Sequence, residues 1–321
     1  SVVDAEAIRR RVYHIVLDSN HGVGGILGSR LLAALGCRVT ALGGSPDGAF
    51  DHPPEPVPEN LLALSRAVRE RQAHVGFAQD PDGDRLAIID ETGRPIGEEY
   101  TITLVADHVL SKTPGAVVVN LSPTKAIEDV AALRRAKFER TPVGEAHVVE
   151  QMIKRRAVIG GEGNGGVIHP NVVYVRDSFV AMALVLEVMA LQDATLSQLV
   201  RRLPKFSIIK LKLDVNLAKL PRAIRKLSSK YRKAKLNTAD GLRIDLGDRW
   251  VHVRPSNTEP VARLIAEAHT EADAQQLVED VRKILSAAGA ISRTRTGRPA
   301  AKSSRAGAKR SSSGKAAKRR R

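Results

Sequence analysis

Three aspartates at alternate positions carry the clearest chemical signal in this sequence. Residues 80–85 read Asp-Pro-Asp-Gly-Asp-Arg, so the carboxylates of Asp80, Asp82 and Asp84 share one tight turn. Such carboxylates can converge on a hard divalent cation, and Mg²⁺ is favoured because phosphate oxygens usually complete its shell. An EF-hand is disfavoured because Arg85 stands where that loop needs glycine and because strands flank the segment. An exposed acidic turn without a ligand is the remaining alternative.

A glycine-rich segment at residues 160–166 is the second candidate site. It reads Gly-Gly-Glu-Gly-Asn-Gly-Gly and formally matches the G-x-G-x-x-G fingerprint of dinucleotide-binding folds. That fingerprint requires a helix directly after the glycines, whereas Pro170 follows four residues later. The segment instead predicts a loop that brings Glu162 and Asn164 onto sugar hydroxyls, with a flexible hairpin as the alternative.

Two further loops could bind anions. Residues 254–260 read Arg-Pro-Ser-Asn-Thr-Glu-Pro, and Arg263 follows closely. Because guanidinium groups hold phosphate in a bidentate fork, this segment predicts a phosphate clamp, with a polar turn as the alternative. Residues 20–25, Asn-His-Gly-Val-Gly-Gly, could cradle an anion at a helix N-terminus or could simply connect a strand to a helix.

The elements that position these loops alternate between strand and helix patterns over the first two hundred residues. This order predicts an α/β fold with mostly parallel sheets covered on both faces, in two consecutive mixed-sheet domains. Residues 172–175 are predicted as a strand and residues 178–191 as a long buried helix. A smaller α+β domain and a disordered basic tail follow. The predicted segments are 1–111, 112–204, 205–290 and 291–321.

Charge is distributed unevenly along the chain. The net charge is +16, yet residues 291–321 hold 12 Lys and Arg and no acid, so the remaining 39 basic and 35 acidic residues nearly balance. The tail predicts sequence-independent, salt-sensitive nucleic-acid binding, with a solvated extension as the alternative. A hydrophobic content of 43% excludes a chain that is disordered throughout, and the single Cys37 excludes an intramolecular disulfide framework.

No segment predicts a membrane partner. The longest apolar stretch, residues 179–191, is too short to span a bilayer and contains Glu187. The first residues lack the charged and apolar regions of a secretory signal peptide. We therefore expect a cytoplasmic protein.

Together the three loops resemble those of one enzyme family. The Asp-x-Asp-Gly-Asp-Arg, Gly-Glu-x-x-Gly and Arg-Pro-Ser-Asn-Thr-Glu-Pro segments are similar to the metal, sugar and phosphate loops of the α-D-phosphohexomutases. This superfamily includes phosphomannomutase, phosphoglucomutase and phosphoglucosamine mutase. The loops occur in the family order, and residues 18–22 and 141–145 also look familial. The resemblance covers about residues 10–290.

The resemblance implies reversible phosphoryl transfer between O1 and O6 of a hexose phosphate, with Mg²⁺ as cofactor and hexose 1,6-bisphosphate as primer and intermediate. Arg85 would be a catalytic residue that adds positive charge beside the phosphoryl group. The other roles carried over are metal binding by Asp80, Asp82 and Asp84, sugar binding by Glu162 and Asn164, and phosphate binding by Arg254, Ser256, Asn257, Thr258 and Arg263.

The chain also departs from the family pattern. The resemblance covers the last three of four domains, and no segment matches the Thr-Ala-Ser-His-Asn-Pro-like loop that carries the phosphoserine. We therefore expect a truncated enzyme that is inactive as an isolated chain, with a non-catalytic sugar-phosphate-binding remnant as the alternative. Pro142 replaces a lysine that often transfers protons, and Asn164 and Gly166 replace a serine and a histidine. These changes leave the acid/base group and the preferred hexose open.

Overall fold

The first of three sheets supports the acidic loop. The computed structural model describes residues 2–256 and 259–291. The strands of this sheet are His14–Asp18 (β1), Arg38–Leu42 (β2), Val75–Gln79 (β3) and Leu86–Ile89 (β4). Their order is β2-β1-β3-β4, in which β1 pairs in parallel with β2 and β3 while β4 runs antiparallel to β3. β1 and β3 are buried along their whole length, as expected for strands covered on both faces.

Helices cover both faces of this sheet. They span Ala5–Arg9 (α1), Gly24–Ala34 (α2) and Leu62–Glu70 (α3), and a short 3₁₀ turn covers Pro58–Asn60. α3 buries Leu64 and Val68, which are four residues apart and therefore share one helix face, against β1 and β3. Most of the other side chains of α3 lie nearer to solvent, so a narrow apolar stripe is enough to pack this helix against the sheet.

The second sheet repeats the topology of the first. Its strands are Ala116–Asn120 (β5), Lys137–Thr141 (β6), Ile159–Gly161 (β7) and Val167–Ile168 (β8). The order is β6-β5-β7-β8, with parallel pairs around β5 and an antiparallel pair between β7 and β8. Because parallel strands end at the same edge, the loops after β5, β6 and β7 lie together. The helices of this region are Glu98–Lys112 (α4), Ala126–Leu133 (α5), Glu145–Arg155 (α6), Ser178–Gln192 (α7) and Leu196–Arg201 (α8).

Helix α7 is apolar around nearly its whole circumference and is buried between the two sheets. The side chain of Asp177 caps its first turn by accepting hydrogen bonds from Phe179 N and Val180 N. One continuous apolar core joins α7 and α4 to strands of both sheets. The predicted apolar stretch at residues 179–191 is therefore an internal helix. Across residues 2–256 and 259–291, none of the helices has the length and apolar character needed to cross a bilayer.

The last sheet is antiparallel and has its own core. The strands are Ser207–Asp214 (β9), Lys235–Asn237 (β10), Leu242–Asp245 (β11), Trp250–Pro255 (β12) and Val261–Ala268 (β13). Their order in the sheet is β10-β11-β12-β13-β9. Two helices, Leu220–Lys230 (α9) and Glu271–Ala287 (α10), pack against one face and bury a second apolar cluster. The other face is left for polar contacts with the first two units.

The predicted fold class of two mixed-sheet α/β units and a smaller α+β unit is confirmed. The predicted boundaries at residues 111 and 204 stay predictions, and α4 contacts both β4 and β7. The predicted basic tail falls on residues 292–321, outside the described residues, apart from its first residue, Ile291.

One element prediction was wrong, and strand β6 was not predicted. Residues 172–175 form no strand, because the backbone turns there through hydrogen bonds from Val172 N and Val173 N to His169 O, and β8 takes the sheet edge instead. Strand β6 escaped prediction because Lys137, Glu139 and Arg140 make it polar, which an edge strand tolerates.

Candidate active site

The acidic loop joins β3 to β4 and gathers its three aspartates. One carboxylate oxygen each from Asp80, Asp82 and Asp84 lies within 4.8 Å of the others. Asp80 is fully buried, Asp84 is partly buried and Asp82 is exposed. Gly83 turns the chain between them with φ +74°, a conformation that suits glycine. The structure therefore brings together the residues that the sequence predicted as metal ligands.

Asp80 organises the backbone of this loop. Its Oδ1 accepts hydrogen bonds from Asp84 N at 3.1 Å and Arg85 N at 3.0 Å, and its Oδ2 pairs with Arg85 Nε. Burial alone would raise the pKa of Asp80, but these hydrogen bonds and the Arg85 charge outweigh it and lower the pKa. Arg85, predicted as a catalytic residue, is therefore held against Asp80.

Asp84 supplies the evidence that a cation fits here. Burial and the neighbouring Asp80 raise its pKa to about 7, although Arg176 acts in the opposite direction. Its Oδ1 is buried and has no hydrogen-bond partner among the described residues. A crowded carboxylate with an unsatisfied oxygen, beside two other carboxylates, is a suitable donor set for Mg²⁺, which prefers oxygen ligands.

A series of buried, hydrogen-bonded side chains holds the acidic loop in place. Ser178 Oγ, in the first turn of α7, donates to Gly83 O at 2.6 Å and accepts from Gln79 Nε2 at 2.7 Å. Ser19 Oγ donates to Gln79 Oε1 at 2.9 Å. The predicted anion cradle at residues 20–25 also contacts this loop, because Val23 N donates to Pro81 O at 2.9 Å. In the structure this turn supports the acidic loop.

The glycine loop is a tight hairpin between β7 and β8 that lies directly against the acidic loop. Leu86 N donates to Gly165 O at 3.0 Å, so the hairpin is bonded to the first residue of β4. Gly165 has φ +87°, and a Cβ there would lie 2.5 Å from Leu86 O. A strand follows the glycines, so the helix that a dinucleotide fingerprint needs is absent from residues 160–168.

The two predicted sugar-binding residues differ in how firmly they are held. Glu162 is 5% exposed. Its Oε1 accepts from Asn120 Nδ2 and from Gly144 N, while its Oε2 pairs with Arg176 Nη1 at 2.7 Å. Asn164 makes one weak contact within its own loop, from Gly166 N to its Oδ1 at 3.4 Å. The carboxylate is thus fixed, whereas the Asn164 side-chain amide has donors to offer.

Arg176 connects three of these segments, and sequence reasoning did not identify it. It pairs with Asp84 of the acidic loop, with Glu162 at 2.7 Å, and with Glu145 of the Thr-Pro-Val-Gly-Glu motif at 2.8 Å. It lies just before the first turn of α7, directly after the residues 172–175 that were predicted as a strand. A usable signal was present, since Arg176 is the only Lys or Arg between residues 157 and 200.

The basic loop follows β12 and is tied to the second unit. Arg254 and Arg263 are direct cross-strand neighbours on β12 and β13. Arg254 Nε lies 2.7 Å from Asp240 Oδ2, which also accepts a hydrogen bond from Val143 N at 3.1 Å. The Arg263 side chain is exposed and makes no hydrogen bond or ion pair within the described part of the chain. Ser256 begins the loop, and the predicted residues Asn257 and Thr258 lie outside the described residues.

Lys210 of β9 links the last unit to the glycine loop. Its Nζ donates to Gly163 O at 3.3 Å and pairs with Glu98 Oε1 at 2.6 Å and with Glu99. Burial raises the pKa of Glu99 to about 7, even with Lys210 close by. Arg176 thus connects the acidic loop to the glycine loop, and Lys210 connects the glycine loop to the last unit. Arg176 and Asp84 are 92 residues apart and Lys210 and Gly163 are 47 apart, so no local sequence pattern showed these contacts.

Models of one protein family match most of the described part of the chain. The phosphoglucomutase/phosphomannomutase alpha/beta/alpha domain II model matches residues 1–93, the domain III model matches residues 97–206, and the C-terminal domain model matches residues 209–284. This chain belongs to the phosphoglucomutase/phosphomannomutase family. The matches follow the order of the three sheets, so the resemblance found in the sequence is confirmed.

Relatives of the phosphoglucomutase/phosphomannomutase family agree with this assignment. A phosphoglucomutase/phosphomannomutase of Thermococcus kodakarensis is 37% identical over 86% of this chain and 61% of its own length. A phosphoglucosamine/phosphogalactosamine mutase of Sulfurisphaera tokodaii is 31% identical over 89% and 64%. A solved family protein of Burkholderia thailandensis superposes with a TM-score of 0.78 at 31% identity, covering 89% of this chain and 64% of that chain. The chain thus spans about three fifths of the length of these phosphohexomutases.

The acidic loop of this family member permits a direct test of metal binding. We expect Mg²⁺ to raise the melting temperature of the chain only at high concentration, because the cation gives up water reluctantly. Asp82→Asn should abolish that rise, since it removes one of three converging ligands while being exposed enough to spare the fold. Differential scanning calorimetry with and without Mg²⁺ measures the effect. Asp248→Asn, at an exposed turn of the last unit, should behave like wild type. An unchanged Mg²⁺ response in Asp82→Asn would contradict the assignment.

Proposed function

We propose that this chain supplies the metal-, sugar- and phosphate-binding parts of a phosphohexomutase, which moves a phosphoryl group between O1 and O6 of a hexose phosphate. One observation carries the proposal: Arg176 bonds the acidic loop to the glycine loop, and Asp240 ties the basic loop to the second unit beside them. The loops whose side chains suit a metal, a sugar and a phosphate are therefore connected to one another by these contacts.

Each group has a distinct proposed role. Asp80, Asp82 and Asp84 would hold Mg²⁺, which neutralises the charge that develops during phosphoryl transfer. Arg85, which pairs with Asp80, would place a positive charge beside the transferred phosphoryl group. Glu162 accepts hydrogen bonds from ring hydroxyls of the sugar, and the Asn164 side-chain amide donates hydrogen bonds to them.

The basic loop would bind the phosphate that does not react. Arg254 and Arg263 offer two guanidinium groups on neighbouring strands, and Ser256 adds a hydroxyl at the loop entrance. We assign Asn257 and Thr258 to the same task. A firm grip on the distal phosphate positions the other end of the substrate for reaction, which is the main contribution that binding makes to such a transfer.

Turnover in this scheme passes through a hexose 1,6-bisphosphate and needs a phosphoserine, which the family resemblance assigns to a domain outside the three that match. We propose that the isolated chain binds hexose phosphate but does not convert it. We also propose that it does so in the cytoplasm. The hexose preference stays open, because Gly166 and Asn164 differ from the family's usual histidine and serine.

Calorimetric titration with glucose 6-phosphate tests the clamp. Arg254→Ala should weaken binding about 10- to 100-fold, because a charge-assisted contact to phosphate contributes about 1.5–3 kcal/mol. Arg249→Ala, an exposed arginine at the far end of β12, is the matched control and should bind like wild type. Equal affinities for wild type and Arg254→Ala would refute the clamp and, with it, the proposed substrate.

The charge of the tail favours a second, separable function. We propose that residues 291–321, with 12 positive charges and no acid, bind nucleic acid without sequence preference. Deleting the chain after Ala290 should abolish salt-sensitive retention of two unrelated DNA duplexes in electrophoretic shifts and should leave glucose 6-phosphate binding unchanged. Retention by the truncated chain would place the basic surface elsewhere.

A further inference from the structure

A cavity of about 740 Å³ lies at the end of the first unit opposite the acidic loop. Tyr13, directly before β1, and His74, directly before β3, line it together with Asp193, directly after α7. The acidic loop follows the other end of β3, about 17 Å along the strand. The volume falls within the range of small-molecule sites, and none of the residues assigned to the candidate active site lines this cavity.

Tyr13 presents an unsatisfied hydroxyl to this cavity. The residue is only 6% exposed, yet its hydroxyl makes no hydrogen bond within residues 2–256 and 259–291. The hydroxyl oxygen is not among the fully buried polar atoms without a partner, so it is open to the cavity. The ring is fixed edge-on against His74, with ring centroids 5.4 Å apart. Burial raises the pKa of Tyr13 to about 12, so the phenol keeps its proton and can donate.

His74 and Arg69 add two more donors. The Nδ1 atom of His74 accepts a hydrogen bond from His14 N at 2.9 Å, so the proton of the neutral ring is on Nε2. That Nε2–H has no partner in the described part of the chain. Arg69 uses one N–H on Gly93 O at 3.3 Å, and its remaining N–H groups stay available.

The acidic residues of the cavity are already engaged. Glu91 accepts hydrogen bonds from Ser197 N at 3.1 Å and from Ser197 Oγ. Asp193 accepts through Oδ1 from Arg11 at 2.6 Å, and its other oxygen faces solvent. Tyr13, His74 and Arg69 keep donors available in the cavity, and a ligand that satisfies these donors must bring acceptor oxygens. Met189 and Ala194 supply an apolar wall for a small carbon skeleton.

We propose that this cavity binds a small organic oxyanion, a phosphate ester or a carboxylate, through Tyr13, His74 and Arg69. The ligand would be placed to act on the acidic loop, because two elements reach both sites. β3 runs from His74 to the residue before Asp80, and α7 runs from Ser178, which holds Gly83 O, to the cavity wall. The existence of this site does not depend on the proposed mutase activity.

Isothermal titration with glycerol 3-phosphate and with citrate tests the proposal and distinguishes the two oxyanion classes. The full chain carries Arg254→Ala in every sample, so that the basic loop does not contribute. Added to this background, Tyr13→Phe should weaken binding about 3- to 10-fold, and Arg69→Met should weaken it at least 10-fold. Tyr174→Phe, in a separate cavity, is the control and should leave affinity unchanged.

A second measurement separates a ligand role from a structural one. Without ligand, Tyr13→Phe should keep or raise the melting temperature, because the lost hydroxyl has no partner in the folded chain. Weaker binding combined with undiminished stability supports the site. The proposal is overturned if neither probe binds, if Tyr13→Phe and Arg69→Met both bind like the background chain, or if Tyr13→Phe lowers the melting temperature.

Discussion

Replacing Arg176 by Met should lower the free energy of unfolding by about 3 kcal/mol and abolish binding of glucose 6-phosphate. The guanidinium pairs with Asp84, Glu145 and Glu162, which lie on three separate segments. Removing one partner of a buried ion pair costs about 3–5 kcal/mol, because the remaining charges are left uncompensated. We expect the lower end of that range, since Arg176 is 21% exposed. Urea unfolding at pH 7.5 measures the change.

The pH dependence of this variant gives an independent check. The pKa of Asp84 is already about 7 with Arg176 beside it, and without Arg176 the carboxyl retains its proton to higher pH. A carboxyl whose pKa is raised by folding stabilises the fold at low pH and loses this effect as pH rises through the folded value. The deficit of Arg176→Met should therefore shrink at pH 5.5.

Arg155→Met is the matched control for Arg176→Met. Arg155 also pairs with a carboxylate, Glu139, but it is 52% exposed, so its loss should leave the unfolding curve close to that of wild type. An Arg176→Met unfolding curve that matches those of wild type and Arg155→Met would show that Arg176 does not connect the loops in solution.

Replacing Glu187 by Ala should cost about 3–5 kcal/mol of stability at neutral pH. This carboxylate is fully buried in α7 and holds three elements, because it accepts hydrogen bonds from Asp4 N, His108 Nε2 and Lys112 Nζ at 2.6–2.7 Å. The variant leaves these donors without an acceptor in the core. Guanidinium unfolding provides the measurement. Glu150→Ala, an exposed acid on α6, should change stability by less than about 0.5 kcal/mol.

Glu187 should also make the stability of the chain depend on pH in the acid range. Burial opposes its charge, but the hydrogen bonds from His108 and Lys112 prevail and lower the pKa of Glu187 to about 2 from an ordinary 4.5. A carboxyl with a lowered pKa stabilises the fold fully above pH 4.5 and loses that contribution as pH falls towards 2. The difference between wild type and Glu187→Gln should thus narrow from pH 5 to pH 3. A constant difference would contradict this account.

Much of the fold and of the candidate site could be predicted from the sequence because local patterns determine them. The buried strands β1 and β3 read as apolar runs, and the acidic loop is a contiguous motif whose side chains converge within one turn. The element prediction failed at residues 172–175, where strand propensity is high but β8 occupies the sheet edge. Propensity describes the segment alone, whereas pairing depends on the available neighbours.

The contacts that join the loops could not be predicted in the same way. Arg176 meets Asp84 across 92 residues, and Lys210 meets Glu98 across 112 residues. No local pattern encodes such pairs, because the topology of two sheets determines which charges face each other. The unsatisfied hydroxyl of Tyr13 is equally invisible in the sequence, where the residue reads only as the start of a strand.

The burial of α7 has a consequence for how the chain comes apart. The helix and α4 join the first two sheets into one core, while the last sheet closes its own core with α9 and α10. Cutting the chain between residues 93 and 97 would expose apolar surface on both of the first two units, because they share one core. Cutting it near residue 207 would mainly break polar contacts, such as those of Lys210. The first two units should therefore unfold as one cooperative block, whereas the last unit, with its own core, should be able to unfold separately.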